Sequence, residues 1–183
     1  MIIGITGTNG AGKGVVVDYL KTKGFTHYSA SGVLSAELER RGMEKNRPNM
    51  RAVGNEFREK FGSGYLVKHF LGEAYKNGIR DLVIESIRST GEAEELKRAG
   101  GVLLIIDADR KIRYDRISGR KSGKDLIDFD TFVEQEEREW YGVEGAHDMN
   151  IRAVMDVADD TILNEGTLAE LHQKIDEVLA KVD

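Results

Sequence analysis

The sequence contains no cysteine, and this absence excludes several kinds of chemistry. Disulfide bonds, thiol nucleophiles and thiolate zinc sites cannot form, and the composition agrees with a reducing compartment. The longest apolar runs, such as Gly101 to Ile106, are far shorter than the roughly 18 residues that a membrane-spanning helix needs. No basic flank or cleavage site typical of a secretion signal follows Met1. We therefore expect a cytoplasmic protein without a membrane segment.

Positive charge is not in excess, because 27 Lys and Arg residues face 32 acidic ones and the formal net charge is −5. This balance disfavours a general nucleic-acid binder but allows a local basic cleft. The four histidines, at positions 27, 69, 147 and 172, lack the spacing of zinc ligands. With 183 residues and no repeat or linker, the chain should form one domain, while its oligomeric state stays open. The only proline, Pro48, lies near Asn46 in a stretch that predicts a turn.

Short strand-like runs alternate with longer stretches of helical spacing along the chain. The runs are Ile2 to Thr6, Thr26 to Ser29, Leu82 to Glu85, Val102 to Asp107 and Thr161 to Leu163. Because runs such as the fourth are continuously apolar, they favour a parallel sheet covered on both faces. We therefore predict an α/β fold in three layers around a five-stranded parallel sheet. The stretch from Gly32 to Gly78 is mainly helical and too long for a simple crossover, so it predicts an insertion.

Three residue pairs with capping-box spacing mark predicted helix starts. They are Ser89 with Glu92, Thr131 with Glu134, and Thr167 with Glu170. Gly100 is placed to end the first of these helices, and Asp109 is placed to cap a helix that begins at Arg110. The stretch 167–182 has the amphipathic pattern of a helix packed on the sheet, and we assign it no chemistry.

The strongest motif is a glycine-rich loop that follows an apolar strand and precedes a helical run. It reads Gly7-Thr8-Asn9-Gly10-Ala11-Gly12-Lys13 and fits the Walker A pattern G-x-x-x-x-G-K of a P-loop. The glycines let successive backbone N–H groups turn inward, the helix contributes its positive end, and Lys13 adds an ammonium group. These features predict a cradle for the polyphosphate of ATP. The residues expected to hold it are Gly7, Thr8, Asn9, Gly10, Ala11, Gly12, Lys13, Gly14 and Val15.

The loop departs from the general pattern directly after its lysine. A serine or threonine hydroxyl usually binds magnesium there, whereas this chain has Gly14 and Val15. Magnesium must then be held by the nucleotide, by water and by carboxylates elsewhere. Our candidate is Glu85, which ends an apolar strand at the carboxyl edge of the sheet, where open parallel sheets bind ligands. The alternatives are that Glu85 orients an acceptor hydroxyl, caps a helix or pairs with a cation.

Several segments resemble adenylate kinase and its relatives in the P-loop nucleoside monophosphate kinase superfamily. The loop Gly10-Ala11-Gly12-Lys13-Gly14 is similar to theirs, and His27-Tyr28-Ser29-Ala30-Ser31-Gly32 is similar to their acceptor-nucleotide segment. The chain also resembles a set of adenylate-kinase-related proteins that is common in archaea. That likeness covers Gly12-Lys13-Gly14, Arg41-Gly42, Val83 to Arg88, Glu136 to Glu139 and Asn164-Glu165-Gly166.

The resemblance implies a kinase built from three parts. A core would comprise 1–31, 79–119 and 141–183, a helical flap at 32–78 would receive the monophosphate acceptor, and a lid at 120–140 would close on ATP. Ser31 and Gly32 would line the acceptor site, and Arg88 would bind the acceptor phosphate unless it is only a surface arginine paired with an acid. The family usually has an arginine four residues after the glycine of the acceptor segment, where this chain has Ala36. The phosphate must therefore find other cations, or the acceptor differs.

One group of arginines precedes the predicted lid. Arg113, Arg116 and Arg120 are spaced three and four apart, which places them on one side of a helix. Arg116 and Arg120 are candidates to neutralise the transferring phosphoryl group or to lie on the adenine, and Arg138 is a weaker candidate. On spacing alone, the alternative is a solvated helix face.

A second group lies in the predicted flap. Arg47, Arg51 and Arg58 are separated by four and seven residues. They could supply the positive charge that is missing at Ala36, and a solvated helix face is again the alternative.

Together these observations predict an ATP-dependent phosphotransferase that acts on a small phosphorylated acceptor, with a nucleoside monophosphate as the acceptor that fits best and Mg²⁺ as cofactor. The predicted catalytic residues are Lys13, Arg88, Arg116 and Arg120; the predicted substrate-binding residues are Ser31, Gly32, Arg51, Arg58 and Arg88. One alternative is a dephospho-coenzyme A kinase, although those enzymes usually carry Gly-Lys-Ser and an aspartate-rich segment after the second strand. Another is a non-catalytic regulator that binds ATP only as a switch.

Overall fold

A five-stranded, wholly parallel sheet forms the centre of the molecule. The structure, a computed structural model, describes residues 1–119, 127–141 and 149–182. The strands are β1 (Ile2–Thr6), β2 (Thr26–Ser29), β3 (Leu82–Glu85), β4 (Val102–Asp107) and β5 (Asp160–Leu163), in the spatial order β2-β3-β1-β4-β5. The predicted α/β fold and its five strands are confirmed, and only β5 begins one residue earlier than predicted. β1 therefore lies at the centre, between β3 and β4.

Helices cover both faces of this sheet. They are α1 (Lys13–Thr22), α2 (Ala30–Arg40), α3 (Arg47–Phe61), α4 (Tyr65–Lys76), α5 (Thr90–Arg98), α6 (Arg110–Gly119), α7 (Phe129–Tyr141), α8 (Ile151–Asp156) and α9 (Leu168–Val182). On one face, Val83 and Leu104 pack with apolar residues of α1 and α9. On the other, Leu82 and Ile84 pack with α4, α5 and α8. Neighbouring residues of β3 thus enter opposite cores, which explains its continuous apolar run.

The stretch from Gly32 to Gly78 is helical, as predicted, and contains most of α2 together with α3 and α4. Leu34, Leu38 and Val53 form a separate small cluster that joins α2 to α3. α4 instead packs on the sheet through Leu66 and Phe70. The α2–α3 pair therefore has a core of its own next to the main one.

The prediction of a turn at Pro48 was wrong. Asn46 caps α3 by accepting a hydrogen bond from the backbone N–H of Asn49, and Pro48 is the second residue of the helix. A proline fits there because the N–H groups of the first helical turn have no partner within the helix, so none is lost.

Two of the three predicted capping boxes are confirmed. Ser89 and Glu92 exchange side-chain-to-backbone hydrogen bonds at the start of α5, and Thr167 and Glu170 do so at the start of α9. The box at Thr131 was wrong: α7 already begins at Phe129, and the Asp128 carboxylate accepts the N–H of Thr131. An aspartate three residues earlier does the same capping work.

The two remaining boundary predictions are confirmed as well. Gly100 follows α5 with a positive φ of 76°, and the side chain of Asp109 accepts the N–H of Lys111 at the start of α6. Within the described ranges, no helix has the length and apolarity needed to cross a membrane.

Candidate active site

The glycine-rich loop connects β1 to α1, as the sequence predicts. Gly7 and Gly10 both have positive φ, at 130° and 80°. A β-carbon on Gly7 would overlap the carbonyl oxygen of Ile106 in β4, and one on Gly10 would lie 2.5 Å from the carbonyl oxygen of Arg113 in α6. Each of these two positions therefore requires glycine for two reasons: the backbone has a positive φ, and a neighbouring backbone, that of β4 or α6, leaves no room for a side chain.

Side chains from outside the loop fix its shape. The Thr8 hydroxyl donates to Asp107 at the end of β4 over 2.9 Å. The side-chain amide of Asn164, which follows β5, donates to the carbonyl oxygen of Ala11 over 2.8 Å. Arg116 in turn donates to the backbone carbonyl of Asn164 over 2.8 Å. Arg116 is thus connected to the loop through Asn164. Its other terminal nitrogen, Nη1, is buried and has no hydrogen-bond partner among the described residues.

Lys13 is folded back onto the loop. Its ammonium group donates to the carbonyl oxygens of Gly7 over 3.0 Å and of Thr8 over 2.7 Å, and the residue is buried. Burial, together with the positive charge of Arg88, lowers the pKa of Lys13 to about 7. The ammonium therefore sits where an arriving anion would both replace its two carbonyl partners and favour its charged form.

A cleft of about 490 Å³ opens in front of the loop, between β3, α2, α3 and α7. Its charged lining residues are Lys13, Lys45, Arg47, Arg51, Arg58, Arg88, Glu85 and Glu139. Positive charge thus predominates here in a protein that is acidic overall. A cleft of this size and charge suits a small anionic ligand.

Glu85 lies in this cleft at the end of β3. The Nε2–H of His27 in β2 donates to its carboxylate over 3.2 Å. Burial alone would raise the pKa of Glu85, but the His27 hydrogen bond and the nearby Lys13 charge outweigh it and keep the pKa below its usual value. An ionised carboxylate beside the phosphate loop fits a role in supporting magnesium. In the described ranges, no group of three or more histidine, cysteine or acidic residues is placed to hold a metal ion.

Arg88 and Arg47 meet in the same cleft through a shared carboxylate. Glu139, on α7, accepts from the guanidinium of Arg47 through Oε1 and from that of Arg88 through Oε2, each over 3.0 Å. Burial would raise the pKa of Glu139, but the two arginine charges keep it low, so the carboxylate is ionised. Arg47 starts α3, whereas Arg88 follows β3. The structure therefore brings Arg47 and Arg88 together in the cleft, on either side of Glu139.

The other predicted acceptor residues differ in their surroundings. Ser31 and Gly32 line the cleft, where the Ser31 hydroxyl lies 2.9 Å from that of Ser29. Arg51 lines the cleft as well. Arg58 also reaches the cleft wall, but it is only 2% exposed and pairs with Glu92 over 3.1 Å, so its charge is already matched inside the protein.

Of the arginines predicted in and beside the lid, Arg116 and Arg138 lie within the described residues. Arg120 falls outside the described residues. Arg138 is exposed and pairs with Glu134 one turn earlier in α7, away from the cleft residues. Val15 lies in the first turn of α1, where its side chain is 42% exposed and its backbone N–H donates to the carbonyl oxygen of Gly12 over 3.0 Å.

Comparisons with known proteins show to which families the chain belongs. A family model described as an AAA domain matches residues 3–142 of the chain. The chain belongs to this family. It also belongs to the UPF0200 proteins, because it is 31% identical over 99% of its length to the UPF0200 protein of Pyrobaculum aerophilum, of which 98% is covered. The predicted resemblance to P-loop kinases and to an archaeal family is confirmed.

Solved structures of small-molecule kinases share the fold of this AAA domain. Shikimate kinase from Acinetobacter baumannii, in complex with shikimate, superposes with a TM-score of 0.59 at 16% identity, covering 98% of this chain and 93% of that one. Dephospho-CoA kinase from Campylobacter jejuni gives 0.54 at 14% identity, with 100% and 97% covered. At such identities the likeness establishes the fold alone, which is that of P-loop kinases.

Sequence reasoning did not identify the acids of α7 as site residues. Glu136 and Glu139 are three apart and therefore face the same way. Glu136 is buried and pairs with Arg113, whose guanidinium also donates to the carbonyl oxygens of Ala108 and Asn9. Arg113 thus belongs to the support of the phosphate loop and not to a solvated stripe. The sequence did contain a signal for these ion pairs: two acids three residues apart, in a chain that also has two groups of regularly spaced arginines.

Proposed function

We propose that this protein is an ATP-dependent phosphotransferase whose acceptor is a small phosphorylated molecule, with a nucleoside monophosphate as the favoured acceptor. The observation that supports this proposal is the shared cleft: the Walker A loop with Lys13 forms one wall, and Arg47 and Arg88 lie in another. Two anionic ligands could therefore meet there. The known activities of shikimate kinase and dephospho-CoA kinase, both of which have this fold, agree with transfer to a small molecule.

In the proposed reaction, the loop amides and Lys13 bind the phosphate tail of ATP. Glu85 would hold magnesium through a bound water, and the metal would supply charge neutralisation. Arg88 and Arg47 orient the acceptor phosphate, one oxygen of which forms a bond to the γ phosphorus while the bond to the bridging oxygen of ADP breaks. An ionised phosphate needs no strong base, so catalysis consists of positioning and charge neutralisation.

Arg116 and Arg120 keep their proposed roles at the transferring phosphoryl group or the base, whereas the exposed position of Arg138 does not support such a role. Arg116 is connected to the loop, because it contacts Asn164 and Asn164 contacts the loop. The segment 120–140 is the proposed lid, and the part of it in α7 carries Glu139, which lines the cleft.

A panel of acceptors distinguishes the proposed function from its alternatives. Purified protein is incubated with ATP and Mg²⁺ together with each common nucleoside monophosphate or with dephospho-coenzyme A, and ADP formation is measured. We expect acceptor-dependent ADP formation with one or more monophosphates. The likeness to dephospho-CoA kinase favours that coenzyme precursor as a second candidate. Transfer to the precursor alone would overturn the monophosphate proposal, and slow hydrolysis without any acceptor effect would indicate a regulator.

The low pKa of Lys13 predicts that nucleotide binding takes up a proton. At pH 8.5 the free protein holds Lys13 mostly neutral, because its pKa is about 7. Bound phosphates favour the charged ammonium and raise that pKa, so binding should take up close to one proton, and affinity should fall as pH rises above 7. Calorimetric titration with ADP at pH 8.5, in two buffers of different ionisation enthalpy, measures the uptake. Equal heats in both buffers would contradict this assignment.

A further inference from the structure

Glu139 occupies the position between two arginines that an acceptor phosphate would need. Its two oxygens each accept one hydrogen bond, from Arg47 and from Arg88. The arginines come from different elements, α3 and the segment after β3, while the acid comes from a third, α7. A carboxylate held by two guanidinium groups resembles a phosphate held by the same two groups, because both present oxygens that accept from planar N–H forks.

The contact between Glu139 and the two arginines is largely shielded from water, so only a negatively charged ligand can replace Glu139. The side chain of Glu139 is 15% exposed, and those of Arg88 and Arg47 are 16% and 26% exposed. Two arginines left this close without an anion would repel each other at low local dielectric. Any ligand that takes the place of Glu139 must therefore bring its own negative charge to both arginines. A neutral acceptor could not do so.

We infer that Glu139 is a built-in counter-ion of the acceptor site, which holds Arg47 and Arg88 together in the free protein and is exchanged for the phosphate of the acceptor. The inference rests on the proposed function, since it assigns these arginines to the acceptor. It makes Glu139 a specificity residue. An acceptor with a phosphate dianion outcompetes a single carboxylate charge, whereas an acceptor with only hydroxyl groups leaves Glu139 in place.

The test uses Glu139→Gln, which keeps the shape of the side chain and removes its charge. Inorganic phosphate serves as the probe for the phosphate of the acceptor, and its binding is measured by calorimetry with and without saturating ADP. Because the competing charge is gone, we expect phosphate to bind the variant about tenfold more tightly than the wild type, with ADP affinity changed less than threefold. Glu137→Gln, an exposed acid on the same helix, is the matched control and should bind phosphate like the wild type.

A second readout comes from Trp140, which is the only tryptophan in the chain and follows Glu139 directly. Its indole nitrogen is buried. If phosphate displaces Glu139, the emission of Trp140 should change when phosphate binds the wild type. In Glu139→Gln the emission should already be shifted in that direction before phosphate is added. A residue that merely stabilised α7 would lower the melting temperature without producing this pattern.

The double variant Glu139→Gln/Arg88→Met assigns the effect to the acceptor site, because the tenfold gain should disappear in it. If Glu139→Gln does not fold, Glu139→Asp, which keeps the charge but shortens the reach, should give a gain of about threefold. Phosphate binding that is unchanged or weaker in the folded variant, with no change in Trp140 emission, would overturn the inference. Failure of the proposed function is separate, because it would appear as absent ADP binding or absent transfer while the phosphate comparison still stands.

Discussion

Lys13→Met should lower the rate of phosphoryl transfer by about 10²–10³-fold, as removal of one preorganised charged donor typically does. Lys13 supplies the only side-chain ammonium inside the glycine-rich loop, and its carbonyl partners lie within that loop. Methionine fills a similar volume, and it removes a buried group whose charged form is already disfavoured, since the pKa of Lys13 is lowered to about 7. The loss should therefore be catalytic, with the fold retained.

The rate is measured as ADP formation with the acceptor identified by the panel. Lys21→Met is the matched control, because Lys21 lies on the same helix with its side chain 53% exposed and pairs only with Asp18 among the contacts of the described residues. That variant should turn over like the wild type. If Lys13→Met transferred phosphate as fast as Lys21→Met, the glycine-rich loop could not be the part of the protein that catalyses the transfer.

Arg58→Met should destabilise the protein by about 3–5 kcal/mol, as breaking one side of a buried ion pair usually does. The Arg58 and Glu92 side chains are 2% and 1% exposed, so the substitution leaves the Glu92 carboxylate buried without its cation. Glu92 also accepts the backbone N–H groups of Arg88 and Ser89. The pair therefore connects α3 to the segment that carries Arg88.

Urea denaturation of Arg58→Met gives its free energy of unfolding. Arg40→Met is the control, because Arg40 is an exposed arginine that pairs with Glu37 one turn away, and its midpoint should match the wild type. The double variant Arg58→Met/Glu92→Gln should recover much of the loss, because no buried charge is left unpaired. A midpoint for Arg58→Met equal to that of Arg40→Met would show that the buried pair contributes nothing.

The sequence was sufficient for the sheet, because strands buried on both faces are continuously apolar, as β4 is. The sequence also predicted the phosphate loop, because glycines and a lysine at this spacing, between a strand and a helix, are specific to such loops. Local patterns also identified Ser89 and Thr167 as caps. They failed at Pro48 and Thr131. A proline fits the first turn of a helix as well as a turn, and the aspartate three residues before Thr131 is as good a cap as the threonine.

The pairing of distant charges could not be predicted from spacing. Arg47 and Arg58 belong to one helix and looked equivalent, yet one faces Glu139 and the other is buried against Glu92. Each partner lies far away in the chain and reaches its arginine only through the packing of α3 against the rest of the molecule. Asn164 is similar, because its contact with the carbonyl of Ala11 depends on β5 lying beside β4.

Calorimetric titration of the purified, folded protein with a non-hydrolysable ATP analogue and Mg²⁺ tests the central claim most directly. That claim is that the loop from Gly7 to Gly14 binds the phosphate tail of ATP. We expect saturable binding of one nucleotide per chain, which is strongly weakened in Lys13→Met and unchanged in Lys21→Met. No detectable heat of binding to the wild type, at several temperatures and with ADP as well, would contradict the claim and the proposed function that depends on it.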